Sequence, residues 1–133
     1  MGDQQRNLEV VTRIGELWNA GDLDGLLELY DDDVEVLTDP GWPEGPTQGK
    51  DAFANTTREW RAAWATIDVT PGEVRAIGGD RVLAEGFWDS RGAASGISGR
   101  MEFGFLYTLR DGLIVRQQWF LDQSEGRRAA GLG

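Results

Sequence analysis

The chain has 133 residues, a formal net charge of −10 at pH 7, and neither cysteine nor histidine. This length suits one domain with its own hydrophobic core, so we expect a single domain over residues 1–133. The acidic excess argues against nucleic acid or an anionic membrane as partner. Without Cys there are no thiolates, disulfides or Cys metal sites, and without His the commonest neutral-pH base and metal ligand is absent. No apolar segment has the length of a signal peptide or a membrane span, so the sequence predicts a soluble cytoplasmic protein. We also expect neither a metal nor a cofactor.

The first part of the chain has helical periodicity. Apolar residues at helical spacing predict a helix over about residues 5–20, which Gly21 ends. Asp22 is a suitable N-cap for a short second helix, and the acidic run 31–33 is expected to end it. A third helix is expected to begin at Gly49–Lys50. Its inward face would carry Phe53, Thr57, Trp60 and Trp64.

From Ile67 onward the period changes to two, which is typical of strands. Four long strands are predicted over residues 67–76, 81–91, 99–110 and 113–121, separated by glycine-rich breaks typical of antiparallel hairpins. A shorter strand over residues 34–39 precedes them, and Asp122 caps a short terminal helix. We therefore expect an α+β fold, a cone in which three N-terminal helices pack on a curved antiparallel sheet, with a short C-terminal helix.

Asp39 ends the first predicted strand, directly before Pro40 and a turn that contains Trp42. A rigid aromatic turn could shield this carboxylate from water, and a shielded carboxylate can act as a general base. Aspartate is also a common turn former, because its side chain can accept a hydrogen bond from the backbone two residues on. The sequence leaves both interpretations of Asp39 open.

Six tryptophans are many for a chain of this length. Such rings either line a pocket or fill the core. Tyr107 and Gln117 lie among apolar residues of the predicted strands, where a buried hydroxyl or amide needs a partner. That partner is either another protein group or an oxygen of a bound ligand.

The order of the predicted elements, together with five segments, resembles the NTF2-like superfamily and specifically its SnoaL-like branch. The segments are Trp18-Asn19-Ala20-Gly21-Asp22, Tyr30-Asp31-Asp32-Asp33-Val34, Pro46-Thr47-Gln48-Gly49-Lys50-Asp51, Ser95-Gly96 and Leu109-Arg110-Asp111-Gly112-Leu113-Ile114-Val115. The resemblance implies a pocket between the concave sheet face and helices one and three, and a homodimer formed through the convex face.

The ketosteroid isomerase relatives place their proton-transferring Asp before a Pro, as in Asp39-Pro40. The resemblance puts their oxyanion-hole Tyr and Asp near Ile14 and Phe105, neither of which can donate a hydrogen bond from its side chain. SnoaL-like cyclases use His together with Asp, and this chain has no His. A hydrolase-type arrangement would have to draw on Asp39, Asp89 and Arg91 or Arg116.

We therefore expect a small-molecule pocket protein that binds a largely apolar or aromatic ligand. Asp39 is the candidate catalytic residue for isomerase-, cyclase- or hydrolase-type acid–base chemistry. The alternative is a non-enzymatic dimerisation or binding module whose cone is filled by side chains. The candidate ligand-binding residues are Ile14, Trp18, Trp42, Trp60, Trp64, Phe105, Tyr107, Gln117 and Trp119.

Overall fold

The computed structural model describes residues 2–41, 45–92 and 98–132, with backbone alone at 64–66, 91–92 and 98. In chain order its elements are α1 (Gly2–Ala20), α2 (Leu23–Leu27), β1 (Tyr30–Leu37), β2 (Thr47–Gln48), α3 (Lys50–Ala62), β3 (Trp64–Ile77), β4 (Arg81–Gly92), β5 (Ser98–Arg110), β6 (Leu113–Phe120) and α4 (Gln123–Ala129). The fold is therefore α+β.

The strands form one curved six-stranded sheet in the order β2-β1-β6-β5-β4-β3. Only β1 and β6 run parallel among these neighbours, and the other pairs are antiparallel. A tight turn joins β5 to β6 because Asp111 and Gly112 both take positive φ, at 55° and 79°, which a two-residue hairpin favours. An irregularity between Pro71 and Val74 interrupts the pairing of β3 with β4. Such bulges bend a sheet, so this one contributes to the curvature.

Local capping explains where the short helices begin. The Asp22 carboxylate accepts a hydrogen bond from the Gly25 N–H at 2.9 Å and starts α2. Asp122 accepts from the Ser124 N–H at 2.8 Å and starts α4. Both are the N-cap contacts that the sequence predicts.

Helix α1 lies along the free edge of β3. Trp18 Nε1 donates to the Ile67 carbonyl at 2.8 Å. The Asn19 side chain pairs with both backbone groups of Val69, donating to its carbonyl at 2.9 Å and accepting from its N–H at 2.8 Å. These side chains satisfy backbone groups that an edge strand otherwise leaves open, and they fix Trp18 against the sheet.

The main core lies between the concave sheet face and helices α1, α2 and α3. On the convex face, Leu83 and Leu106 form a smaller cluster with Ala130, beside α4. An ion pair also ties α4 to this face, because Arg127 donates to the buried Glu85 carboxylate at 2.7 and 3.1 Å. Helix α4 therefore supports the sheet from outside the concave core.

Three details differ from the sequence-based expectations. The acidic run 31–33 belongs to β1 instead of ending a helix. Strand β1 pairs with the distant strand β6 at Tyr30 and again from Glu35 to Leu37, with an irregularity between these positions. Helix α3 ends at Ala62, so Trp64 begins β3 and does not continue the helical face of Trp60. The two-residue strand β2 was not expected; it pairs with β1 at Glu35 and Val36.

Trp42 and the rest of the expected turn at 42–44 lie outside the described residues, as does the Trp64 side chain. None of the helices in the described part of the chain is long and apolar enough to cross a membrane.

Candidate functional site

A cavity of about 320 Å³ lies between the concave sheet face and helices α1 and α3. The described core therefore leaves a space within the cone instead of filling it completely. Seven of the candidate ligand-binding residues line this cavity: Ile14, Trp18, Trp60, Phe105, Tyr107, Gln117 and Trp119.

One part of the cavity wall is a continuous aromatic cluster. The Trp88 ring lies edge-on to Trp60 and Trp18, with centroid separations of 4.9 and 5.3 Å. Trp60 also meets Trp119 at 5.7 Å, and Trp119 stacks on Phe105 at the same separation. Edge-to-face and offset-stacked rings at these distances attract each other beyond the burial of their area. The cluster is therefore a rigid apolar surface suited to a flat or cyclic apolar group.

Polar side chains form a second part of the wall, in one row across the sheet. The strand register places Thr47 of β2 opposite Val36 of β1, Val36 opposite Gln117 of β6, and Gln117 opposite Tyr107 of β5. All four residues line the cavity. The next row contains Phe105 paired with Trp119, so the polar row lies beside the aromatic cluster.

Tyr30 adds a hydroxyl to this polar row from the start of β1. Its Oη donates to Gln117 Oε1 at 2.5 Å, and both residues are buried. This bond fixes the orientation of the Gln117 amide, because the carbonyl oxygen faces Tyr30 and leaves the Nε2 group as a donor elsewhere. Tyr30 is thereby a positioning residue for the cavity.

Several polar atoms of this wall have no protein partner among the described residues. Thr47 Oγ1 and Trp88 Nε1 are buried without a hydrogen bond. The described residues likewise provide no hydrogen bond for Tyr107 Oη or Gln117 Nε2. Buried polar groups in proteins are nearly always paired with protein, water or ligand. The polar row therefore has hydrogen-bonding capacity to offer a molecule in the cavity.

Both tyrosines remain neutral phenols at physiological pH. Burial raises the pKa of the Tyr30 hydroxyl well above its ordinary value of 10.0, and proximity to Tyr107 raises this pKa further. Burial also raises the pKa of Tyr107. In both cases the low-dielectric surroundings disfavour the phenolate. The two hydroxyls are therefore available as hydrogen-bond donors and carry no charge.

Asp39 lies apart from the cavity-lining residues and holds two pieces of backbone together. Its Oδ1 accepts from the Gly41 N–H at 2.8 Å, and its Oδ2 accepts from the Leu121 N–H at 3.1 Å. The first contact caps the turn after β1, and the second ties that turn to the end of β6. Each carboxylate oxygen thus has a structural partner.

Two residues of the hydrolase-type arrangement, Asp89 and Arg116, have partners other than Asp39, and the Arg91 side chain lies outside the described residues. Asp89 accepts hydrogen bonds from Thr70 and from Arg100, whose contact lowers the pKa of the Asp89 carboxyl. Arg116 pairs with Glu35 at 3.3 Å. Asp89 and Arg116 each lie next in sequence to a cavity residue, and alternation along a strand directs them to the convex face.

The candidate ligand-binding set omits three of the residues that define the cavity, Tyr30, Thr47 and Trp88. Trp88 was considered only as one of the tryptophans that either line a pocket or fill the core. Tyr30 was expected on a helix, and Thr47 lies in a strand too short to show alternation. The sequence could have identified Trp88 as a cavity residue, because Trp88 alternates with Ala84 and Gly86 on the inward face of β4.

The sequence profile of the SnoaL-like domain matches residues 11–117. A comparison with curated proteins finds no significant match. Among solved structures, an NTF2-like protein of unknown function from Burkholderia pseudomallei is 22% identical, with 92% of this chain and 95% of that chain covered and a TM-score of 0.80. A proposed polyketide cyclase from Xanthomonas campestris is also 22% identical, with coverages of 96% and 98% and a TM-score of 0.76.

TerC, co-crystallised with polyporic acid, is 20% identical, with coverages of 95% and 98% and a TM-score of 0.78. At these levels of identity the solved structures establish a shared fold. The profile match covers most of the chain and establishes the family.

Proposed function

The chain belongs to the SnoaL-like family, and from its cavity we propose that it binds a small, largely apolar ring compound inside the cone. The observation that carries this proposal is the pairing of an aromatic cluster with a polar row in one cavity of about 320 Å³. That volume is near the lower end of the range for small-molecule sites, so it suits a compact ligand.

The two parts of the wall give the ligand a preferred orientation. An apolar ring would pack against the aromatic cluster of Trp60, Trp88 and Trp119. An oxygen on that ring would accept hydrogen bonds from Tyr107 Oη and Gln117 Nε2, which lack partners among the described residues. An apolar molecule would leave these hydrogen bonds unmade, so a ligand oxygen that accepts them is favoured over a ligand without one.

The solved structures of similar fold are consistent with such a ligand. TerC was co-crystallised with polyporic acid, and other neighbours are proposed polyketide cyclases. These are properties of the neighbours, and they support a small organic ligand for this chain without fixing its identity.

Acid–base catalysis by Asp39 stays a separate prediction. Its two oxygens already accept backbone hydrogen bonds from Gly41 and Leu121, which supports the structural interpretation of this residue. We therefore propose ligand binding as the function and assign the polar contacts to Tyr107 and Gln117.

A matched pair of probes tests the proposal by isothermal titration calorimetry. 1-Tetralone carries a carbonyl oxygen, whereas tetralin has the same ring system without it. We expect 1-tetralone to bind about tenfold more tightly, which is the contribution of one or two hydrogen bonds to buried donors. The Trp emission should change with both probes, because the rings they contact are tryptophans.

Single substitutions test which side chains cause the preference for 1-tetralone over tetralin. Tyr107→Phe and Gln117→Leu should each reduce the preference for 1-tetralone, whereas Gln118→Leu, which makes the same change on the other face of β6, should preserve it. If neither probe gives saturable heat or a change in Trp emission, the cavity does not bind ring compounds of this size and the proposal is wrong.

A further inference from the structure

The cavity wall has an unusual distribution of charge. Its described lining contains two acidic residues, Glu16 and Glu85, and no lysine or arginine. The Glu85 carboxylate itself lies on the convex side of the sheet, where it pairs with Arg127 of α4. The remaining polar lining consists of hydroxyl and amide groups, and its two phenols are neutral. A molecule entering this cavity would therefore find hydrogen-bond partners but no cationic side chain in the described wall.

The carboxylates of these two residues differ in their surroundings. Glu85 is buried and its charge is balanced by Arg127, which donates to it at 2.7 Å, and by Arg75 at 4.0 Å. Both arginines are thereby engaged outside the cavity. Glu16 is exposed on α1 and has no ion pair in the described part of the chain. The rim of the cavity thus carries an uncompensated negative charge.

One further cation contacts the wall without lining it. The Arg61 guanidinium lies 4.8 Å from the centroid of the Trp18 ring, and its Nη1 is buried without a hydrogen-bond partner among the described residues. Trp18 separates this group from the cavity, since Trp18 is a lining residue and Arg61 is not. Arg61 is therefore an alternative partner for an anionic ligand, and a test of charge selectivity has to address it.

We propose that the cavity selects ligands by charge, accepting molecules whose polar group is uncharged and rejecting the corresponding carboxylates. This inference rests on the proposed binding function and adds the charge class of the ligand. A carboxylate placed at the polar row would lose its hydration and gain no cation in return, which is costly in an apolar cavity. The negative rim and the net charge of −10 would also disfavour its approach.

The test uses 2-naphthamide and 2-naphthoate, which have the same shape and differ in charge at neutral pH. Calorimetric titration of the unmodified protein should show that the amide binds about 100-fold more tightly, because the carboxylate would be buried without a counter-charge. Equal affinity, or tighter binding of 2-naphthoate, would overturn the proposal. If neither compound binds while 1-tetralone does, charge selection is also wrong, because the uncharged amide should enter. Failure of all the probes, 1-tetralone included, would instead refute the binding function itself.

A positive charge introduced into the polar row should weaken or reverse the preference for the amide over the carboxylate. Thr47→Arg adds a cation to the same row of the cavity wall, separated from Gln117 by Val36, and we expect it to increase the affinity for 2-naphthoate at least about tenfold. Thr108→Arg adds the same charge on β5 next to Tyr107 but on the opposite face, so the preference for the amide should persist. An unchanged preference in a folded Thr47→Arg variant would contradict a selection based on the missing cation.

A substitution of Arg61 tests whether this guanidinium can bind an anionic ligand. If 2-naphthoate binds the unmodified protein and this binding is lost in Arg61→Met, the guanidinium is the partner of an anionic ligand and the proposal is wrong. If charge selection is correct, Arg61→Met should leave the preference for the amide unchanged. Melting temperatures of all the variants, measured in parallel, separate a loss of fold from a loss of binding.

Discussion

Tyr30 and Tyr107 are the only tyrosines of the chain, and both are buried in the cavity wall. Burial raises the pKa of each hydroxyl above its value in the unfolded chain. Below pH about 10 both states hold the phenolic protons. Above that pH the unfolded chain releases them first, so the free energy of unfolding falls as the pH rises toward the folded-state pKa values.

The near-ultraviolet absorbance of tyrosinate checks this prediction directly. We expect no tyrosinate signal from the folded protein at pH about 10, where exposed tyrosine is half ionised. The signal should instead appear together with the loss of native Trp emission as the protein unfolds. Gradual ionisation at the ordinary pKa, with native emission retained, would show that the two hydroxyls are accessible to water.

Asp39 is expected to contribute to stability instead of ligand affinity. Asp39→Ala removes the acceptors of the Gly41 and Leu121 N–H groups, and we expect a loss of about 1–2 kcal/mol in the free energy of unfolding. Denaturant unfolding and calorimetric titration with 1-tetralone measure the two effects separately. A large loss of affinity with unchanged stability would favour the functional interpretation of Asp39.

The exposed Asp68 provides the charge control for this experiment, since no described side-chain contact depends on it. Asp68→Ala removes the same negative charge and should change stability little. The difference in the free energy of unfolding between the two variants therefore measures the loss of the backbone contacts of Asp39 and not the change in net charge.

The contact of α1 with β3 predicts the effect of changing Asn19. Asn19→Ala would remove both side-chain hydrogen bonds to Val69 and leave an open position on a sheet edge. We expect the variant to be about 1 kcal/mol less stable than its control and to exchange the Val69 amide hydrogen faster. Asn55→Ala is that control, because it gives α3 the same gain in helix propensity without losing a described contact. Unchanged protection of Val69 would contradict this role of Asn19.

The elements that the sequence predicted well are those set by local signals. Asp22 and Asp122 start helices through contacts with residues two or three positions ahead. The turn at Asp111-Gly112 joins two strands through its own backbone geometry. Such features depend on a few consecutive residues, so their interpretation from sequence does not need the rest of the fold.

The elements that were mispredicted depend on distant residues. Residues 31–33 form part of β1, whose partner β6 lies about eighty residues later in the chain. Thr47 joins the polar row only through pairing of β2 with β1. The large aromatic residues led to the prediction of a pocket. Tyr30 was not among the predicted ligand-binding residues, because its contact with Gln117 spans 87 positions and leaves no local pattern in the sequence. Register across a sheet is a tertiary property and is weakly encoded in any one strand.

The convex face is the surface through which the family resemblance implies a homodimer. Its charges are largely balanced, since Arg116 pairs with Glu35, Arg100 with Asp89 and Arg127 with Glu85. Leu132 alone is an exposed large apolar side chain among the described residues. A dimer formed here would therefore join two polar, locally neutral surfaces while each protomer keeps its net charge of −10.

This balance predicts how dimerisation should respond to salt. Ion pairs already closed within each protomer contribute little attraction between protomers, whereas the repulsion between two acidic molecules acts over the Debye length of about 10 Å at moderate salt. Added salt screens that repulsion, so we expect the dimer dissociation constant to fall as salt increases. Sedimentation equilibrium at two salt concentrations measures this change. A dissociation constant that rises with salt would require attractive ion pairs between the protomers, and a monomer under both conditions would rule out the homodimer.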